Sequence, residues 1–339
     1  MTEATVARFE HRRTTAESIQ HFLHRFPTMV PVIVLIVSVA GFALAAPNFM
    51  SAFNLSLILQ QVAVVGTLAA AQSLVILTAG IDLSVSAVMV LCSVIMGKLA
   101  VEMGVPVPIA IAAGIAAGLG TGWVNGTLVT RLRLPPFITT LGTLNIFIAL
   151  VYYLSGRNTI RSQDIDASAP LLKLFGQNFR LGGFVITYGV LLMLAVFAVL
   201  YVALNMTAWG KRVYAIGDDA EAAALAGIRV NRVLLSVYVT AGLICGLAAW
   251  SSIGRVGSVS PTSFVEANLE SITAVVIGGI SLFGGRGSIA APLIGAIIVG
   301  VFNSGLRLMG VDVLWQLFAT GWLIIIAVAV DQWIRKIAS

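Results

Sequence analysis

The chain has 339 residues, of which 59% are hydrophobic and 10% charged, with a mean hydropathy of +1.00. A soluble domain carries about a quarter charged residues, so this chain lacks the polar surface to cover itself and reads as an all-α polytopic membrane protein. Its 20 Lys and Arg exceed its 14 Asp and Glu, but the charges fall between apolar spans. That is the positive-inside bias, and it points away from nucleic acid.

In chain order, residues 1–27 form a polar tail with Arg8, Arg12, Arg13 and Arg25. No small-residue cleavage site follows the first apolar stretch, so the tail reads as retained and cytoplasmic. A membrane domain is expected over 28–334. A helix crosses the hydrocarbon core with about 20 apolar residues. Ten spans meet that pattern: 28–46, 56–78, 84–103, 105–129, 136–154, 184–204, 233–253, 269–284, 288–309 and 313–334. The second, third, eighth and ninth are Gly-rich, which makes a broken or re-entrant element a candidate there; such backbone is tolerated only against protein or a water-filled cavity.

With the N-terminus inside, 13 of the 20 basic residues fall on the inner side, and 335–339 form a cytoplasmic C-terminus. Tyr152, Tyr153, Trp315 and Trp333 sit near span ends, where interfacial anchors belong. Cys92 and Cys245 lie inside apolar segments and read as small buried hydrophobes. Gly114, Gly118 and Gly122 share one helix face and permit close helix approach, within one chain in preference to a dimer seam.

Two connections are long. Residues 155–183 form an outside loop with mixed charges, including Arg157, Arg161, Asp164 and Asp166. Residues 205–232 form an inside loop whose centre reads DDAEAAALAG. Asp218 or Asp219 is the right type for an N-cap, Glu221 falls in the first turn and Gly227 supplies a stop. The helix has about two turns, too short to stand alone in water, so it must pack on something.

Asp82, in TAGIDLSVSA, is the only charged side chain between Arg25 and Lys98. Gly80 lets the chain turn, and Asp82 and Ser84 suit a cap for the following helix. A contact with a polar solute is compatible with that role. Polar side chains on the apolar spans mark a candidate pathway: Gln60, Gln61, Gln72, Asn125, Thr139, Thr140, Asn145, Glu270 and Asn303. Gln61 and Gln72 are three turns apart and can share a face. Amides and hydroxyls suit a neutral polyol, although each is also explained by interhelical hydrogen bonding. AGIDLS at 79–84 faintly echoes GGISLF at 278–283.

Four blocks carry a family resemblance. WGKRVYAIGDDAEAAALAGIRV (209–230) resembles the signature loop of ribose-type monosaccharide ABC importer permeases. LILQQVAVVGTLAAAQSLVILTAGIDLSVSA (57–87), LPPFITTLGT (134–143) and the run from Glu270 to Val311 match the same family in its order. TIRSQDIDASAP and AVDQWIRK resemble its fructose-import branch. Ser86 departs from the glycine usual there. The resemblance implies an ABC importer permease fold with broken helices, spanning a bacterial inner membrane many times with both termini cytoplasmic.

The resemblance also implies a role: passing a monosaccharide, fructose first and ribose or mannose-like sugars next, from a periplasmic binding protein to the cytoplasm. The inside loop then corresponds to a coupling helix on a cytoplasmic ABC ATPase, at Gly217, Asp218, Glu221, Ala222, Ala223, Ala226 and Gly227. The outside loop corresponds to a docking site for the binding protein. A second permease copy is implied, making a homodimer among membrane lipid.

The chain carries no phosphate loop: GGRGS at 284–288 lacks the lysine and the spacing. It is therefore expected to be no enzyme, to hold no cofactor or metal, and to leave ATP and Mg to its partner. The alternatives are a permease for a nucleoside or branched-chain amino acid, an ion-coupled secondary transporter, and a passive channel. Ion coupling needs buried acids, and only Asp82 and Glu270 qualify. The last two classes also leave the inside loop without a role.

Overall fold

The computed structural model describes residues 29–335. The N-terminal tail and the last four residues lie outside that range, and the side chain of Trp333 is likewise not described. Among the described residues seven helices are long and apolar enough to cross a membrane, and three shorter apolar helices join them. In order the helices are α1 (Met29–Ala45), α2 (Ala52–Leu77), α3 (Val85–Gly97, continued by a π turn to Glu102), α4 (Val107–Thr130) and α5 (Pro136–Ser155). A folded segment follows: α6 (Ser162–Ser168), a 3-10 turn (Pro170–Gly176) and the hairpin β1 (Asn178–Leu181) and β2 (Phe184–Thr187). Then come α7 (Tyr188–Met206), α8 (Ala208–Asp218), α9 (Ala220–Leu225), α10 (Val230–Val256), α11 (Ala267–Ile277), α12 (Ala291–Leu308) and α13 (Val313–Arg335).

Two expected spans differ. The sixth was expected from 184, but 184–187 form β2 and the helix starts at Tyr188. Gly182 and Gly183 both have positive φ, which a two-residue hairpin turn requires, so the outer loop runs on into a strand. The eighth was expected to reach 284, but α11 stops at Ile277. Glycines crowd 278–287, and four of them (Gly279, Gly284, Gly285 and Gly287) take the left-handed conformation that ends a helix.

Helix α10 forms the central post of the bundle, against α2, α3 and α4. The glycine stripe of α4 makes this closeness possible. A Cβ at Gly118 would overlap the Gly242 carbonyl, and one at Gly122 would overlap that of Tyr238. Gly114 does the same for Met96 of α3. The stripe is thus used inside one chain, as the sequence reading expected.

Helices α2 and α11 end alike. After Leu77, Ala79 N–H bonds Ile76 O and Gly80 N–H bonds Val75 O; after Ile277, Gly279 N–H bonds Val276 O and Ile280 N–H bonds Val275 O. Both are Schellman stops, with Ala79 (φ +59°) and Gly279 (φ +92°) in the left-handed position. The structural equivalence is therefore Ala79 with Gly279, one residue away from the register of the AGIDLS/GGISLF echo. Hydrogen bonds define the stop, and letter identity does not.

The outer loop folds down onto the end of α10. Ile160 and Val259 pair as a β-bridge, the Trp250 indole donates to Leu171 O at 3.2 Å, and Phe175 meets the Trp250 ring edge-on at 4.6 Å. At the other end of the bundle, α8 and α9 lie beneath the two turns.

Candidate functional site

The turn 78–84 gathers side chains from four helices. Asp82 is buried, and its Oδ1 accepts from Ser84 N–H at 2.7 Å and from the Ser84 hydroxyl at 2.6 Å. Asn125 of α4 donates to Ser84 Oγ at 2.9 Å. The Gln72 amide, oriented so that both its atoms are satisfied, donates to Asp82 O at 3.0 Å and accepts from Asp82 N–H at 3.3 Å. Thr140 of α5 accepts from Leu83 N–H and donates toward Ile81 O, both at 3.1 Å. Asn268 of α11 donates to Leu83 O at 2.6 Å.

This geometry corrects the expected cap. Ser84 has near-helical φ and ψ (−94°, −7°), and no side chain caps the start of α3. The Ser84 hydroxyl turns back to Asp82, so the carboxylate closes an Asx-type turn ahead of the helix. The side chain is cut off from water and takes its hydrogen bonds from Ser84 instead, as a buried polar group must. Ser86, two residues into the new helix, is buried as well.

Sequence reasoning missed Asn268 and Tyr238. Tyr238 is fully buried, and a Cβ at Gly80 would stand 3.3 Å from its hydroxyl. Among the described residues, Tyr238 Oη, Asn125 Oδ1, Asn268 Oδ1 and Thr139 Oγ1 have no hydrogen-bond partner. Asn268 was findable as a polar residue two positions before Glu270. Tyr238 carries no sequence signal, because a tyrosine in an apolar span is ordinary.

Gln61, Glu270 and Asn303 form a second cluster. Asn303 of α12 donates to Glu270 Oε1 at 2.8 Å, and Gln61 and Glu270 line one cavity. Gln61 and Gln72 therefore serve different clusters. Asn145 belongs to neither: it is exposed, and its amide donates to Leu141 O at 3.0 Å. Gln60 is half-buried beside Gln61.

The centre of the inside loop folds as expected, with Asp219 taking the cap, whereas the helix α8 (Ala208–Asp218) ahead of it was not expected. Its Oδ1 accepts from Glu221 N–H and Ala222 N–H, each at 2.9 Å. Gly227 (φ +83°) ends α9 in a Schellman motif, with Ile228 N–H on Ala223 O at 3.0 Å. The surface divides sharply. Asp218, Glu221, Ala222, Ala226 and Gly227 are exposed, and Leu225 is 91% exposed. Ala223 and Gly217 are buried. A Cβ at Gly217 would overlap the Leu77 carbonyl and crowd Gly285 N.

One contact joins the two turns and two more tie this segment to them. Gly285 N–H donates to Leu77 O at 3.0 Å, the Tyr214 hydroxyl donates to Gly287 O at 2.8 Å, and Gly285 and Gly284 leave no room for a Cβ against Asp218 and Gly217. Arg286 reaches Asp218 at 4.0 Å on the exposed side.

In the outer loop, Asp166 pairs with Lys173 at 2.6 Å, and Asp164 accepts from Arg161 N–H at 3.4 Å. Arg157 lies over the Tyr152 ring at 5.8 Å. Part of this charge set thus organises the loop itself.

Residues 54–328 match a family model described as branched-chain amino acid transport system / permease component. The chain is 57% identical to the fructose import permease of Rhizobium meliloti, covering 98% of this chain and 93% of that protein. It is 39% identical to the ribose import permease of Bacillus subtilis (89% and 90% covered) and 32% identical to the galactose/methyl galactoside import permease of Haemophilus influenzae (84% and 88% covered). No solved structure matches the chain.

Proposed function

Since the chain belongs to the family of branched-chain amino acid transport system permease components, matched over residues 54–328, we propose that it is the membrane-spanning subunit of an ATP-driven sugar importer, with fructose as cargo. The full-length relatives named above import sugars, which favours a monosaccharide over the amino acid in the family description. The carrying observation is the segment 208–228: its outer face is exposed, while its inner face meets both helix-ending turns through Gly217 and Tyr214.

The cytoplasmic ATPase holds ATP and Mg and grips Asp218, Glu221, Leu225 and Ala226. An exposed leucine flanked by small residues fits an apolar groove, and acids at the start of α9 suit basic groups around it. Gly217 and Ala223 act from behind, keeping the segment rigid. Movement of the ATPase passes through the Gly217–Leu77 and Tyr214–Gly287 contacts to the two turns, where the helices break. The periplasmic binding protein docks on the outer loop at Arg157, Arg161, Asp164 and Asp166, and a second permease copy completes the transporter. Both termini are cytoplasmic, following the basic-residue bias.

The test is uptake of labelled fructose into proteoliposomes holding the permease, ATPase and binding protein. ATP-dependent uptake is expected, and Leu225→Asp should cut it by about tenfold or more while the permease still inserts. ATP-independent uptake by the chain alone, or full activity of Leu225→Asp, would overturn the reading.

A further inference from the structure

The second polar cluster borders a cavity of about 330 Å³ at the hairpin end of the bundle. That volume lies at the low end of small-molecule sites, which run about 300–1,000 Å³. Its wall includes Gln61 of α2, Arg255 of α10, Thr262 and Phe264 of the α10–α11 loop, and Glu266 and Glu270 at the start of α11. Gln61 and Glu270 already count among the pathway residues. Arg255, Thr262, Phe264 and Glu266 enter only through the tertiary structure, because they are remote from Gln61 in sequence.

We propose that this cavity is the receiving site for a neutral polyhydroxyl solute, held by the Glu266 and Glu270 carboxylates, the Arg255 guanidinium and the Gln61 amide, with Phe264 against its C–H face. The inference rests on the sugar-import reading and adds the place where the sugar first meets the permease. Three observations carry it. Asn303 holds one oxygen of Glu270 at 2.8 Å and so fixes the carboxylate towards the wall. Arg255 has no carboxylate within 4.0 Å among the described residues, so its donors are open to a ligand. Phe264 sits at φ +59°, a left-handed conformation costly for a bulky residue, of the kind that persists where function requires it.

The chemistry selects the ligand class. Two glutamates against one arginine leave the wall net negative, which disfavours an anionic solute. A zwitterion finds a partner for each charge, but its carboxylate also meets the second glutamate. Vicinal hydroxyls donate to both carboxylates and accept from the guanidinium and amide without carrying charge. Charge-assisted bonds of this kind fix orientation, and the open mouth lets the solute leave.

The test uses the permease–ATPase complex in nanodiscs. Native Cys92 and Cys245 are buried, so a membrane-impermeant maleimide reports an introduced thiol. Thr262→Cys is the first position, and Val265→Cys, 73% exposed on the same wall, is the second. Fructose at about ten times its half-saturating concentration should slow labelling about tenfold. Glu270→Gln should remove the protection, leave labelling without sugar unchanged, and lower uptake about tenfold.

Normal fructose uptake by the unsubstituted transporter, with no protection at either position, would overturn the cavity and leave the transport reading intact. Protection by leucine in place of sugar would overturn the polyol assignment. Failure of ATP-driven uptake of fructose, ribose and galactose alike would overturn the transport reading and this inference with it.

Discussion

The turns after α2 and α11 stop their helices by the same backbone hydrogen bonds, yet they are held by opposite means. The first, at 78–84, is fastened by side chains: Asp82, Gln72, Asn125, Thr140 and Asn268 all converge on it. The second, at 278–290, is fastened by backbone, with four left-handed glycines, of which Gly284 and Gly285 pack against Gly217 and Asp218 and Gly285 N–H bonds Leu77 O. The first is a buried polar hub, costly to disturb because each group in it lacks water. The second is a close-fitting plate between the hub and the segment 208–228. On the proposed function, the first arrangement resists movement and the second passes it on.

The largest expected effect comes from filling the plate. Gly217→Val places atoms on the Leu77 carbonyl, and overpacking of this kind costs roughly 1–3 kcal/mol. Uptake should be lost while the hub survives, so ATPase stimulation and thermal unfolding of the purified complex should separate. Full uptake would mean that the plate is not the route of coupling.

Next is the hub. Asp82→Leu strands the Ser84 N–H and hydroxyl, at about 1–3 kcal/mol for each buried unsatisfied group, and should lower the melting temperature clearly. Asp82→Asn keeps an acceptor at the same place and should retain most of the stability. Equal loss of uptake in both, with normal melting, would make the charge itself the requirement.

A smaller change is expected from Tyr214→Phe, which removes one hydrogen bond to Gly287 O, worth about 1 kcal/mol. Its signature is weakened ATPase stimulation with little change in melting temperature. The smallest is Ala79→Gly. A non-glycine residue at φ +59° carries strain, so this substitution should stabilise by up to about 1 kcal/mol and bring the first turn closer to the second. Destabilisation would show that the Ala79 methyl, which lies near Gly284, matters more than its backbone.

Much of this architecture was legible in the chain. The apolar spans, the α4 glycine stripe and the short helix from Asp219 to Gly227 follow from local composition, spacing and capping chemistry, which tertiary context did not override. Asp82 stood out because a charge in a long apolar run is rare. The role of Asp82 was less legible: a cap and an Asx turn require the same residue type, and the choice depended on where the Ser84 hydroxyl pointed. The nine pathway residues on the apolar spans were chosen by polarity alone, which cannot tell the hub from the cavity or either from the exposed Asn145. The coupling residues were chosen as one run, whereas the fold turns Gly217 and Ala223 inward and Asp218, Glu221 and Leu225 outward.

Sequence by itself determined that this chain lives in a membrane, where most of its apolar spans start and stop to within a few residues, with α11 the exception, and that it carries a short capped helix at the centre of the inside loop. These are properties of neighbouring residues: hydrophobic length, cap chemistry and the freedom of glycine. Only the tertiary structure decided which polar groups share a cluster, that α11 is a short helix paired in form with the end of α2, and that Arg255, Tyr238 and Asn268 belong with residues far from them in sequence. Those facts arise from how helices lean together, and a lean is set by many small contacts at once.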